Sequence, residues 1–178
     1  MRRALRTTAV SLARQLELDV SYASRAPWVP GSRLLAKWIA AALTPAIAPA
    51  YAPAGVPALP SARTAVVLSV RIVGTARSRS LNAHYRHKDM PTNVLSFGGA
   101  GRAPDGRYFL GELVICAPLV AREAHVQGKS LRAHWAHLTI HGVLHLLGFD
   151  HERAPEAAKM ASRETQIIDR LGFSDPYR

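Results

Sequence analysis

Cysteine is almost missing from this chain: Cys116 is the one thiol in 178 residues, so no disulfide can form within it and a cysteine-built zinc finger is excluded. Any metal site has to draw on histidines and carboxylates. Long apolar runs are missing too, because Pro, Arg or Ser interrupts each of them short of the roughly 20 residues a membrane-spanning helix needs. The expectation is a soluble cytoplasmic protein with no membrane partner. Acid is scarce, with 12 Asp and Glu against 23 Lys and Arg, which leaves a net charge of +11 and a pI near 10.8. The excess cations lie along the whole sequence and not in one tail. A field of that sign attracts polyanions, of which RNA, DNA and anionic membrane surface are the abundant ones. What is abundant is apolar residues, 48% against 20% charged, a balance that suits one compact domain with a buried core.

Residues 1–15 carry Arg2, Arg3, Arg6 and Arg14 and no acid, and read as a flexible basic extension to a domain spanning 16–178. Leu16, Leu18, Val20 and Tyr22 alternate with polar neighbours, the period of a half-buried strand. Leu34, Leu35, Trp38, Ile39 and Ala42 fall on one face at helical spacing, with Ser32 as the expected N-cap. Residues 44–62 hold Pro45, Pro49, Pro53, Pro57 and Pro60, too many missing donors for a helix or a central strand, and read as an extended insertion. Residues 65–73 are rich in Val, Leu and Ile and predict a central strand covered on both faces. A short helix capped by Ser78 or Ser80 follows, then two strands, 93–97 and 112–116, separated by a Gly-rich loop at 98–106. Three helices close the chain: one from Pro118 to about Val126, a long one capped by Ser130 and ending at Leu147, and one from about Pro155 to Leu171. Strands early and helices late predict an α+β domain, a small mixed four-stranded sheet packed with about five helices.

The segment from His141 to His151 concentrates the chemistry. His141 and His145 are four apart, one helical turn, so both imidazoles project from one face at a separation one ion can bridge. Gly148 can take the positive φ that ends a helix and turns the chain back, bringing His151 to the same point. Three histidines with an open fourth position are the pattern of a hydrolytic zinc site. His134 and His137 share the stripe, but at about 1.5 Å of rise per residue His134 stands roughly 16 Å from His145. Both are read as hydrogen-bonded core residues. The same spacing occurs in metzincin proteases, His-Glu-x-x-His-x-x-Gly-x-x-His, where the Glu is the general base. Gly142 occupies the Glu position and cannot accept a proton, so peptide hydrolysis loses the residue it needs.

The segment His141-Gly142-Val143-Leu144-His145-Leu146-Leu147-Gly148-Phe149-Asp150-His151 resembles the His-Gly-x-Leu-His-Leu-x-Gly-Tyr-Asp-His signature of the YbeY family, bacterial metal-dependent endoribonucleases of ribosomal RNA maturation. Leu81-Asn82 through Tyr85-Arg86 and the run from Lys88 to Phe97 resemble the family's Leu-Asn-x-x-Tyr-Arg and Lys-Pro-Thr-(Asp or Asn)-Val-Leu-Ser-Phe segments. Leu110 to Cys116 is similar to its Leu-Gly-Asp-Ile-Val-Ile-Cys strand, and Leu171-Gly172-Phe173 with Asp175-Pro176-Tyr177 to its ending. Met90, Phe149 and Glu112 depart from the family's commoner residues, and the insertion at 44–62 is an addition.

The resemblance implies a metzincin-like metal helix, one Zn2+ per chain on His141, His145 and His151, and Arg86 as a functional residue. His141 and Arg86 are the candidate catalytic residues. A guanidinium offers phosphate oxygens a planar fork of donors and can stabilise charge building on phosphorus. Glu112, Asp150 and Ser96 are candidates for orienting a ligand histidine or water, or for touching substrate. The implied activity is a zinc-dependent endonuclease that cuts single-stranded RNA in 3′-end maturation of small-subunit (16S) rRNA and in ribosome quality control. The cations from Arg71 to Lys88 would track the RNA backbone. Implied partners are small-subunit ribosomal proteins and an assembly GTPase. A ribosome-assembly factor whose metal is purely structural shares all these sequence features.

Overall fold

A computed structural model of the chain describes residues 15–23, 26–44, 64–149 and 154–177. The basic segment 1–15 except Gln15, the Pro-rich stretch 44–62 except Thr44, and both Asp150 and His151 lie outside the described residues. Strands β1 (Leu16–Tyr22), β2 (Val66–Val73), β3 (Val94–Arg102) and β4 (Tyr108–Cys116) form one sheet in the order β1-β2-β4-β3. β1 and β4 run parallel to β2, and β3 runs antiparallel to β4, so β3 is an edge strand. The helices are α1 (Ser32–Ala42), α2 (Thr75–Arg86), α3 (Ala117–Val126), α4 (Leu131–Leu146) and α5 (Ala154–Arg170). The result is the α+β single-domain architecture that the sequence pattern predicts.

The core lies mainly on one face of the sheet. Leu68, Val70, Ile72, Leu113 and Ile115 meet Leu35, Trp38 and Ile39 of α1, Trp135, Ile140 and Leu144 of α4, and Ile167 and Ile168 of α5. Each of these large side chains contributes about 1.5–3 kcal/mol by leaving water. A smaller cluster on the opposite face joins Val73, Leu95, Val114 and Cys116 to Leu81 of α2 and Leu119 of α3. α4 is apolar nearly all round, the pattern of a helix enclosed by neighbours, and it packs against α1, α3, α5, β3 and β4.

Four local expectations are corrected. β2 buries Leu68, Val70 and Ile72 on one face while Val67, Ser69 and Arg71 on the other are half-buried, so it is central but not fully covered on both sides. β3 runs on through Gly98–Arg102, because hairpin pairing with β4 recruits the glycines as strand. α1 takes Gly31 as N-cap and Ser32 as its first helical residue. α2 starts at Thr75, and Ser78 is buried inside it, turned toward a neighbouring loop instead of capping. Ser130 caps α4 as its sequence position predicts, its Oγ accepting from the Ala133 N–H at 3.1 Å.

Candidate metal centre and cleft

Gly142 sets how deeply α4 seats against the sheet. A Cβ there would stand 2.8 Å from Leu113 Cδ2, 3.2 Å from Val94 Cγ2 and 3.3 Å from Ser96 Oγ. With no Cβ, the helix comes close enough for Ser96 Oγ to donate to the Gly142 carbonyl at 3.1 Å. The same crowding leaves no space for the glutamate that a metzincin protease carries at this position. Flanking this contact, His141 and His145 are half-buried on the wall of a cleft, and the helix ends at Gly148 with φ 82°, the left-handed turn its sequence position predicts.

The two imidazoles face each other, Nε2 of His145 lying 3.1 Å from Nε2 of His141. On its far side His141 Nδ1 donates to Glu164 Oε1 at 2.7 Å, since an ionised carboxylate only accepts. His137 Nε2 donates to Glu164 Oε2 at 3.1 Å, and the Tyr177 hydroxyl donates to the same oxygen. Glu164 is fully buried. Burial alone pushes its carboxyl upward, but hydrogen bonds from His137, His141 and the Tyr177 hydroxyl outweigh this and hold it at about 2. Burial and the neighbouring carboxylate raise the Tyr177 phenol above its ordinary value. His137, His141 and Glu164 bring three ligand atoms within 4.8 Å of one another, a donor set that could hold a divalent ion.

The cleft, about 810 Å³, runs along the start of β3 between α4 and the end of α2. Lining the same cleft as the two histidines are Arg86 and Lys88. The loop between them and β3 is pinned from beneath: buried Asn82 donates through Nδ2 to the Met90 carbonyl at 2.8 Å, and buried Ser78 bonds both the Thr92 carbonyl at 2.7 Å and the Thr92 N–H at 3.0 Å. His87 takes φ 56°, turning the chain out of α2 into this loop. Further along, Asn93 Nδ2 donates to Glu123, whose carboxylate also accepts from His134 Nε2 at 2.9 Å.

A family model described as Endoribonuclease YbeY matches residues 56–172. The chain belongs to the YbeY family. Two relatives from different strains of Stenotrophomonas maltophilia, each named Endoribonuclease YbeY, are 46% identical to it over 167 residues, covering 92% of this chain and 94% of theirs. The solution structure of a Thermotoga maritima protein covers 91% of this chain and 99% of its own at 20% identity, with a TM-score of 0.47. That last likeness is too low to bear on the site. Membership of YbeY supports an endoribonuclease role, with RNA as the substrate class. No helix among the described residues is long and apolar enough to cross a membrane.

Of the residues singled out from sequence, the structure brings together His141, His145, Ser96 and Arg86 around the one cleft. His151 and Asp150 lie outside the described residues. Arg86 is exposed and makes no ion pair among the described residues, unlike the salt-bridged surface arginine it could have been. Glu112 does not reach the histidines. Both its oxygens are taken by Arg71, at 2.5 and 2.7 Å. Arg79 is likewise paired with Asp89. The cation run from Arg71 to Lys88 is therefore partly neutralised, and its cleft-facing members are Arg86 and Lys88. His134 is a buried core residue hydrogen-bonded to Glu123, as expected, whereas His137 is half-buried, bonds Glu164 and belongs to the donor set it forms with His141 and Glu164. Sequence reading missed both of those glutamates. A signal existed: each lies on an apolar helical stripe, Glu164 with Met160, Ile167 and Ile168, and Glu123 with Leu119, Val120 and Ala124.

Proposed function

We propose that this chain is a zinc-dependent endoribonuclease that cuts single-stranded RNA, acting in 3′-end maturation of small-subunit rRNA and in ribosome quality control in the cytoplasm. The observation that carries the reading is the facing pair of Nε2 atoms, 3.1 Å apart, in a cleft also lined by an arginine that has no ion-pair partner among the described residues. Tetrahedral nitrogen ligands at zinc distances stand about 3.3 Å apart, so the pair is spaced as two such ligands would be. His141 and His145 would hold the ion, and His151 is the third ligand that the sequence pattern supplies. When bound, zinc supplies a Lewis acid and lowers the pKa of a water toward about 7.

The protein's own groups do the rest. Arg86 grips the scissile phosphate and steadies the charge that grows on its oxygens, a role its planar fork suits better than a lysine would. Lys88 adds a second cation in the same cleft for the neighbouring phosphate. Ser78 and Asn82 fasten the loop that follows Lys88 to α2. Ser96 keeps β3 registered on Gly142, which fixes the helix that carries the two histidines to the strand beneath it. Family resemblance adds small-subunit ribosomal proteins and an assembly GTPase as partners.

Chelation tests the metal requirement. Cleavage of a labelled single-stranded RNA should stop when zinc is stripped and return on adding about one equivalent. Cleavage that persists in metal-free protein, shown by elemental analysis, would overturn the zinc-dependent reading.

A further inference from the structure

Glu164 sits in no motif that the family resemblance rests on, yet it receives three hydrogen bonds at a site with no exposure to solvent. The bonds are divided unequally. Oε1 accepts from His141 Nδ1, and Oε2 accepts from both His137 and Tyr177. One oxygen anchors the carboxylate from two sides, which leaves the other fixed in direction and reserved for His141.

We propose that Glu164 is a positioning residue: clamped by His137 and Tyr177, it keeps the proton of His141 on Nδ1 and so presents the Nε2 lone pair toward His145. This rests on the metal reading given above. A neutral imidazole carries one proton, and the nitrogen that meets a buried carboxylate keeps it. The remaining nitrogen is then the only one able to ligate. Distances favour this over an ion lodged among His137, His141 and Glu164. The 2.7 Å between His141 Nδ1 and Glu164 Oε1 is a hydrogen-bond separation, well short of the roughly 3.3 Å between tetrahedral zinc ligands. On the other side of the same ring, the 3.1 Å between Nε2 atoms lies much closer to that spacing.

The clamp also brings the end of the chain into the site. Tyr177 follows a segment fastened near the start of α4, where Lys129 Nζ donates to the Pro176 carbonyl and the Tyr177 N–H donates to Asp175 Oδ1 at 3.0 Å. The turn at Asp175–Tyr177 therefore braces the tautomer of His141 from behind, outside the lining of the cleft.

Histidine nitrogen NMR on the metal-free full-length protein reads the tautomer directly. Read at a pH where the ring is neutral, His141 should carry its proton on Nδ1 in the parent protein, and a neutral ring protonated on Nε2 instead would overturn the proposal with no variant needed. Zinc affinity, measured by competition with a chromophoric chelator, and the cobalt(II) absorption spectrum give a second readout on Glu164→Gln, Tyr177→Phe and His145→Ala, each checked for folding by circular dichroism. Glu164→Gln should still bind one ion with an unchanged cobalt spectrum, but about 10–100-fold more weakly, and Tyr177→Phe should shift affinity less and in the same direction. Parent-like affinity in both variants, or a changed cobalt spectrum in a folded Glu164→Gln, would overturn the positioning role. His145→Ala separates the two claims: it should lose the ion, and if it binds as tightly as the parent, the metal reading itself has failed.

Discussion

Ser96 Oγ donates to the Gly142 carbonyl at 3.1 Å, and a side chain built on Gly142 would come within 3.3 Å of that same hydroxyl. Strand β3 and helix α4 thus meet at a glycine because only a glycine lets them, and the contact fixes one cleft wall to the floor beneath it. Gly142→Ala should destabilise the protein. Crowding against the fully buried Leu113 costs about 1–3 kcal/mol, of which the better helix propensity of alanine returns at most about 1 kcal/mol. A lower urea midpoint with an unchanged slope would show this. A midpoint equal to or above the parent's would mean that Leu113 moves aside without cost.

Acid should loosen the protein partly through Glu123. Burial pushes its carboxyl up, but hydrogen bonds from His134 and Asn93 outweigh that and leave it below the ordinary 4.5. A carboxyl lowered in the folded state binds fewer protons than in the unfolded chain, so its contribution is complete above the unfolded value and fades as pH falls through the folded one. Glu123→Gln should therefore be less stable than the parent at neutral pH, with the gap narrowing below about pH 4.5. Urea midpoints followed from pH 7 downward would reveal a gap that stays constant if the assignment is wrong.

Cations on the same stretch of chain should differ in their effect on RNA. Lys88 lines the cleft, whereas Arg71 and Arg79 are paired with Glu112 and Asp89. Each phosphate contact on a single strand contributes about 0.7 to the slope of log affinity against log salt. Lys88→Ala should reduce that slope by about this amount, and Arg79→Ala by clearly less. Equal losses from the two variants would mean that the Arg79–Asp89 pair opens when RNA binds.

Much of this architecture is legible in the sequence because the signals are local. Alternation gives β1, the Ser130 cap and helical spacing give α4, and Gly148 marks the turn after it. Expectations failed where partners distant in sequence decide. The glycines of 98–102 read as loop until β4 is there to pair with them. Ser78 reads as a cap until the loop at Thr92 folds back on it. In the site, His141 and His145 are visible from spacing alone, while Glu164 is brought to them by a separate helix and can be found only as an acid out of place on an apolar stripe. Glu112 reads as a candidate from its place in the family-like strand, but pairing of β2 with β4 sets it opposite Ser69, two residues from Arg71, which captures the carboxylate.

The most direct test of the account is cleavage of one labelled single-stranded RNA by the parent protein and by Arg86→Ala, purified in parallel with zinc quantified in both. Arg86 is exposed and unpaired among the described residues, so its loss should leave folding and metal untouched. The account predicts that both preparations hold one zinc per chain and that cleavage by Arg86→Ala falls at least about 100-fold, the scale of losing a charged donor aimed at the transition state. Equal cleavage by the two would contradict the role of Arg86, and zinc-loaded parent protein that cuts no RNA at all would contradict the nuclease reading in favour of an assembly factor with a structural ion.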